Sequence, residues 1–121
     1  MSPKDTYLAV FLGSANSSRR AAWDALPDDQ RQAREQEGMA AWGAWVEANH
    51  DAIVDNGGPL GRTKRISRDG VADISNDLAV YMVVRAASHD AAAALFEDHP
   101  HFSIFPGEAV EVMPVLPVPG A

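Results

Sequence analysis

The sequence predicts an α+β fold in which strands and helices succeed one another as β-α-β-β-α-β. Three observations carry that expectation. An apolar run of strand formers, Tyr7 to Leu12, is closed by Gly13-Ser14-Ala15-Asn16. A long helical stretch opened by Asp28 and Asp29 sets Met39, Trp42, Trp45 and Val46 three and four residues apart, so both indoles share one face. Leu78 to Ala86 alternates Val80, Met82 and Val84 with Tyr81, Val83 and Arg85, then gives way to an alanine-rich helix capped by Ser88.

The intervening elements follow in order. Ser17 or Ser18 caps a short helix over Arg19 to Ala25, interrupted by Pro27. The aspartates that follow place negative charge where the helix dipole favours it, and this long helix runs to about Asn49. Gly38 and Gly43 each weaken it by roughly 1 kcal/mol relative to alanine, which points to something packing closely there. Asp55-Asn56-Gly57-Gly58-Pro59 reads as a turn, with a second strand over about Leu60 to Ser67 and a tight turn at Arg68-Asp69-Gly70. The helix from His89 runs to about Asp98 with Ala92, Leu95 and Phe96 inward, and Pro100 stops it. Val110 to Leu116 forms the last strand, and the chain ends in an extended tail.

This is the split βαβ, ferredoxin-like order, with strands arranged 4-1-3-2. The second and fourth strands then lie at the edges. Arg62, Lys64 and Arg65 on the second discourage edge pairing, and Pro114 on the fourth cannot donate to a ladder. Helices on one face leave the other in need of cover; that open face is expected to include Tyr7, Ala9, Phe11, Tyr81 and Val83.

With 121 residues, 46% hydrophobic and 22% charged, the chain makes one domain and is not disordered. A net charge of −7 argues against binding nucleic acid or an anionic membrane surface. Without cysteine there is no disulfide, thiolate nucleophile or cysteine metal cluster. The apolar run near the N-terminus is too short to span a bilayer and lacks a clean cleavage region, so a cytoplasmic protein is expected.

Trp42-x-x-Trp45, Gly58-Pro59-Leu60-Gly61, Val83-Val84-Arg85-Ala86, the helix from Ser88, His99-Pro100-His101 and Val110-Glu111-Val112 together resemble the YCII-related domain family of the dimeric α+β barrel superfamily. The likeness covers about residues 5 to 118 of a single-domain chain. It implies a homodimer with two facing sheets and a pocket between sheet and helices in each half. Some members use a histidine on the first helix with an aspartate just before a proline. Here those positions hold Ala41 or Trp42, and His99, so the pair is absent as the family draws it. Some members also accompany bacterial transcription-initiation factors, which makes a regulatory accessory role conceivable by analogy.

The segment FEDHPHFSIFPG, residues 96–107, concentrates the chemistry. His99 is the acid–base candidate, with Asp98 placed to orient it; the plainer reading is a histidine in the last turn of a helix, on the surface, where truncation costs about 1 kcal/mol or less. Trp42, Trp45, Tyr81, Arg85 and His101 are the candidate ligand contacts, although a tryptophan stripe at helical spacing is also what a core looks like. A His99-x-His101 metal pair lacks a fixed third ligand, and no metal or other cofactor is expected. Gly57 to Gly61 lacks the Lys-Ser/Thr ending of a phosphate loop, and no nucleophile elbow is present. The functional expectation is a cofactor-independent lyase or isomerase acting on a small molecule through His99. The alternative is a non-catalytic binding or regulatory module.

Overall fold

In the computed structural model, which describes residues 5–119, four strands form one antiparallel sheet in the order β2-β5-β1-β6. They are β1 (Asp5–Leu12), β2 (Ile53–Pro59), β5 (Leu78–Ala86) and β6 (Ala109–Pro114). The helices are α1 (Ser18–Asp24), α2 (Asp28–Ala48), α3 (His89–Ala94) and α4 (Pro100–Ser103). Two further strands, β3 (Thr63–Ser67) and β4 (Gly70–Ile74), pair only with each other. The α+β class, the strand order and the antiparallel sheet agree with the sequence. Residues 120 and 121 of the expected tail lie outside the described residues.

The second strand is a correction. It is formed by Ile53–Pro59, the segment read as a turn, and not by Leu60 to Ser67. Glycines and a proline survive there because the strand is an edge and its pairing with β5 is interrupted twice, at Ile53/Asp55 and at Asp55/Gly58. Asp55 Oδ1 accepts the Gly57 N–H at 2.9 Å, and Gly57 sits at φ 60. A Cβ on Gly57 would lie 1.9 Å from the Tyr81 carbonyl oxygen, so only glycine allows this approach. Arg62, Lys64 and Arg65 therefore do not guard the edge of the main sheet. Lys64 and Arg65 lie on β3 of the β3–β4 hairpin and Arg62 just before it; there Lys64 meets Asp73 at 2.7 Å, and Ile66 and Val71 stay exposed. Pro114 does stand on an edge strand, opposite Tyr7.

The two faces of the sheet are also assigned differently. Tyr7, Ala9 and Phe11 pair with Val84, Met82 and Val80, and they point at the helices rather than away from them. With Ala92 and Phe96 of the α3 segment they form the core, flanked by Trp42, Trp45 and Ile53. Alternation then places Leu8, Val10, Tyr81 and Val83 on the open face, all half-buried. Tyr81 and Val83 keep the face expected of them; Tyr7, Ala9 and Phe11 do not.

Along α2, Trp42, Trp45 and Val46 are half-buried as the stripe requires, but Met39 is 65% exposed. The two helix glycines separate as well. A Cβ at Gly38 would stand 2.5 Å from the Phe105 ring, whereas one at Gly43 meets nothing within 4 Å. Close packing explains the first and not the second.

Candidate functional site

The histidine segment is built by two consecutive turns of chain. Ser88 caps α3 by accepting from the Ala91 N–H at 3.0 Å, and regular helix ends at Ala94 rather than near Asp98. Asp98 then takes φ 56, a left-handed conformation that aspartate tolerates better than most residues. His99 follows at the start of α4, not at the end of α3. Its Nδ1 accepts the His101 backbone N–H at 3.0 Å, making it the N-cap, and Pro100 occupies the first helical turn, where its missing N–H is not needed. The Pro100 read as a stop is a start.

Nor is His99 at the surface. It is 0% exposed, enclosed by aromatic rings. Its ring centre lies 4.5 Å from Trp42, 4.7 Å from Trp45 and 5.0 Å from Phe11, at interplanar angles of 89°, 68° and 70°. Trp45 is itself held by an Nε1–H bond to the Leu95 carbonyl at 2.9 Å, which ties α2 to the end of α3. Burial first, and His101 second, lower the His99 pKa to about 4, so it is neutral near pH 7. Because Nδ1 is an acceptor, the proton of the neutral ring sits on Nε2. That Nε2 has no hydrogen-bond partner, the one buried side-chain nitrogen or oxygen in that position among the described residues. A perpendicular aromatic neighbour can present a π face to such an N–H, a contact weaker than a hydrogen bond to oxygen.

His101 is 7% exposed and stands edge-on to Phe11 at 5.3 Å. Its Nε2 donates to the Leu12 carbonyl at 2.7 Å, since a carbonyl oxygen can only accept. Burial lowers its pKa, the Leu12 bond opposes that, and the Arg19 charge adds to it. Asp98 is exposed; its backbone carbonyl accepts from Ser103 Oγ at 3.1 Å, and the His99 Nδ1 it was expected to orient is taken by the His101 N–H.

The candidate residues fall on opposite sides of the sheet. Trp42, Trp45, His99 and His101 gather beneath the helices. Tyr81 and Arg85 stand on the open face, where Tyr81 Oη donates to Asp55 Oδ2 at 3.2 Å. That bond and the Asp55 charge raise the Tyr81 pKa. One pocket cannot use both groups within a single chain.

On the helix side, a groove of about 390 Å³ runs between α2 and β2. Met39, Trp42, Pro59, Val80 and Phe105 give it apolar walls, and Asn56 supplies a carboxamide at its edge. Trp42 forms part of the wall and also touches His99, so its indole separates the groove from the histidine. Phe105 and Asn56 were not singled out in the sequence. Gly38 was the available signal for Phe105, since a bare position in a long helix marks where another ring must enter.

No family model matches the chain, and no curated protein matches it. Among solved structures it is similar to 5-chloro-2-hydroxyhydroquinone dehydrochlorinase, TftG, from Burkholderia phenoliruptrix AC1100, in complex with 2,5-dihydroxybenzoquinone. The TM-score is 0.51 at 18% identity, over 89% of this chain and 90% of that one. At this identity the likeness shows the fold alone, and over nearly the full length of both chains.

Proposed function

We propose that this chain is a small-molecule-binding α+β protein of YCII-related type, with its ligand, a small planar ring compound, lying in the groove beside Trp42. The observation that carries this reading is the groove itself. Its volume is within the range of ligand pockets, its walls are mostly apolar and aromatic, and its polar groups are few. An indole offers a flat face for a ring to stack on. The fold neighbour's bound molecule, a dihydroxylated quinone, is a ring of the size and polarity that suits such walls.

The partner in this reading is a second copy of the chain. Leu8, Val10, Tyr81 and Val83 form an apolar centre on a sheet face that no helix among the described residues covers. Nucleic acid is disfavoured by the net charge of −7, and no helix among the described residues is long and apolar enough to cross a membrane. A cytoplasmic location fits this reading.

A second reading, a cofactor-independent lyase or isomerase, is favoured by one observation: the unpartnered Nε2–H of His99 behind Trp42. A neutral His99 whose Nδ1 is engaged can offer a proton but not take one at that atom. Donation to a ligand oxygen would require the Trp42 indole to turn aside. Asp98 would act on the backbone turn that aims His99, not on its ring.

The test is calorimetric titration of 2,5-dihydroxybenzoquinone and related hydroxylated rings against the wild-type protein and Met39→Trp. Met39 is exposed at the groove wall, so the larger side chain fills the groove without entering the core. Wild-type binding that weakens at least tenfold in the variant supports the reading. Equal binding by both proteins, or none by either, contradicts it.

A further inference from the structure

His101 has a nitrogen that the groove beside Trp42 does not use. Its Nε2 is committed to Leu12, which leaves Nδ1 as a lone pair on a ring that is 7% exposed. Nδ1 accepts no hydrogen bond among the described residues, yet it is not a sealed atom of the kind His99 Nε2 is. The ring lines a separate cavity of about 490 Å³ between the end of β1, α1 and the loop after α4. Ser14, Arg20, Asp24, Ala79 and Phe105 share its walls. Phe105 is the common partition, with the Trp42 groove on its other side.

The ring is held in place by local packing. A Cβ on Gly107 would fall 2.3 Å from His101 Nε2, so the loop passes too close for any side chain at that position. The Gly107 N–H donates to the His101 carbonyl at 2.9 Å, closing the turn around the ring. Across the cavity, Arg20 Nε lies 3.3 and 3.4 Å from the two Asp24 oxygens. Its terminal amino groups make no hydrogen bond among the described residues. Arg19, the preceding residue, donates to the Phe102 carbonyl instead.

An imidazole with an uncommitted lone pair and a guanidinium with uncommitted donors line one hollow, and together they specify a complementary molecule. We propose that this cavity is a second binding site, for a small hydroxycarboxylic acid, with His101 Nδ1 accepting from the ligand hydroxyl and Arg20 donating to its carboxylate. Paired amino groups suit a carboxylate geometrically, and the Asp24 contact orients them while leaving them free. His101 remains neutral near pH 7 because burial lowers its pKa, which keeps the lone pair available.

The experiment follows the imidazole nitrogen resonances of His101 by NMR while lactate, propanoate and lactamide are titrated in turn. Lactate carries both groups; propanoate lacks the hydroxyl and lactamide lacks the charge. Lactate is expected to shift the Nδ1 signal saturably, with both controls at least tenfold weaker. Arg20→Gln, on an exposed helix, should weaken lactate about tenfold and leave lactamide unchanged. Met39→Trp, which fills the other groove, should leave lactate binding intact. No saturable shift, equal affinity for all three compounds, indifference to Arg20→Gln, or loss of lactate binding in Met39→Trp would each overturn the proposal.

Discussion

The backbone N–H of His101 donates to Nδ1 of His99 across 3.0 Å, and that bond decides where the proton of His99 resides. The neutral ring must carry it on Nε2, inside a cage formed by Trp42, Trp45, Phe11 and Phe96. Protonating the ring as well would both break the cap and bury a charge. A histidine kept neutral this way makes folding depend on pH with a definite sign. Its folded pKa of about 4 lies below the ordinary 6.5, so between those values the unfolded chain binds more protons. Stability is full above about pH 6.5 and falls as the pH drops toward 4, by up to about 3 kcal/mol from this group. Urea unfolding between pH 4 and 8 should show the loss. His99→Asn keeps a capping oxygen but removes the titrating ring; it should lower stability at pH 7 by about 2 kcal/mol and show a shallower acid decline.

Asp98 is expected to matter through its backbone alone. Asn tolerates a left-handed conformation as well as Asp does, so Asp98→Asn should change stability by less than about 0.5 kcal/mol. It should also leave the His99 resonances and their titration in place. A raised or lowered His99 titration midpoint in this variant would show that the carboxylate acts on the ring after all.

The two glycines of α2 should respond to alanine with opposite signs. Gly43→Ala enters open space and should stabilise by up to about 1 kcal/mol through helix propensity. Gly38→Ala drives a methyl group into the Phe105 ring and should destabilise by about 1–3 kcal/mol. Thermal unfolding of both variants beside the wild type is sufficient. Because Phe105 divides the two cavities, Gly38→Ala should also disturb ligand binding at both.

If the open sheet face is covered by a second copy, a charge at its centre will prevent association without touching the core. Val10 lies there, between Tyr81 and Glu111 on the neighbouring strands. The wild type should sediment as a dimer at micromolar concentration and Val10→Asp as a folded monomer of about half that mass. A monomeric wild type would remove the argument for facing sheets.

The sequence made the fold legible because its signals were periodic. Alternation in Leu78–Ala86, the indole pair on α2 and the Ser88 cap each name an element by themselves, and the order of those elements implies the sheet. It misled where one local chemistry serves two structures. Asp55-Asn56-Gly57-Gly58-Pro59 has the composition of a turn, and its Asx contact at Gly57 is turn-like, yet the same residues make an irregular edge strand. Pro after His is the mark of a helix end and equally of a helix beginning; only the left-handed Asp98 between α3 and α4 distinguishes them, and a sequence does not display φ. The face exposed by β1 was misassigned for a related reason. Tyr7 to Leu12 is apolar on both sides, so periodicity could not say which side meets the helices.

Binding of a small planar ring against Trp42, in the groove between α2 and β2, is the property on which the proposed function rests. It is tested most directly by following the three indole N–H resonances during titration with a hydroxylated ring compound. Trp42 lines the groove; Trp45 does not, although its indole is held against the same histidine, and Trp23 lies on the far side of Phe105. Ligand in the groove should give a saturable shift of the Trp42 resonance, a smaller one at Trp45 relayed through His99, and a stationary Trp23. A stationary Trp42 at saturating ligand, or its movement only in step with Trp23, would contradict it.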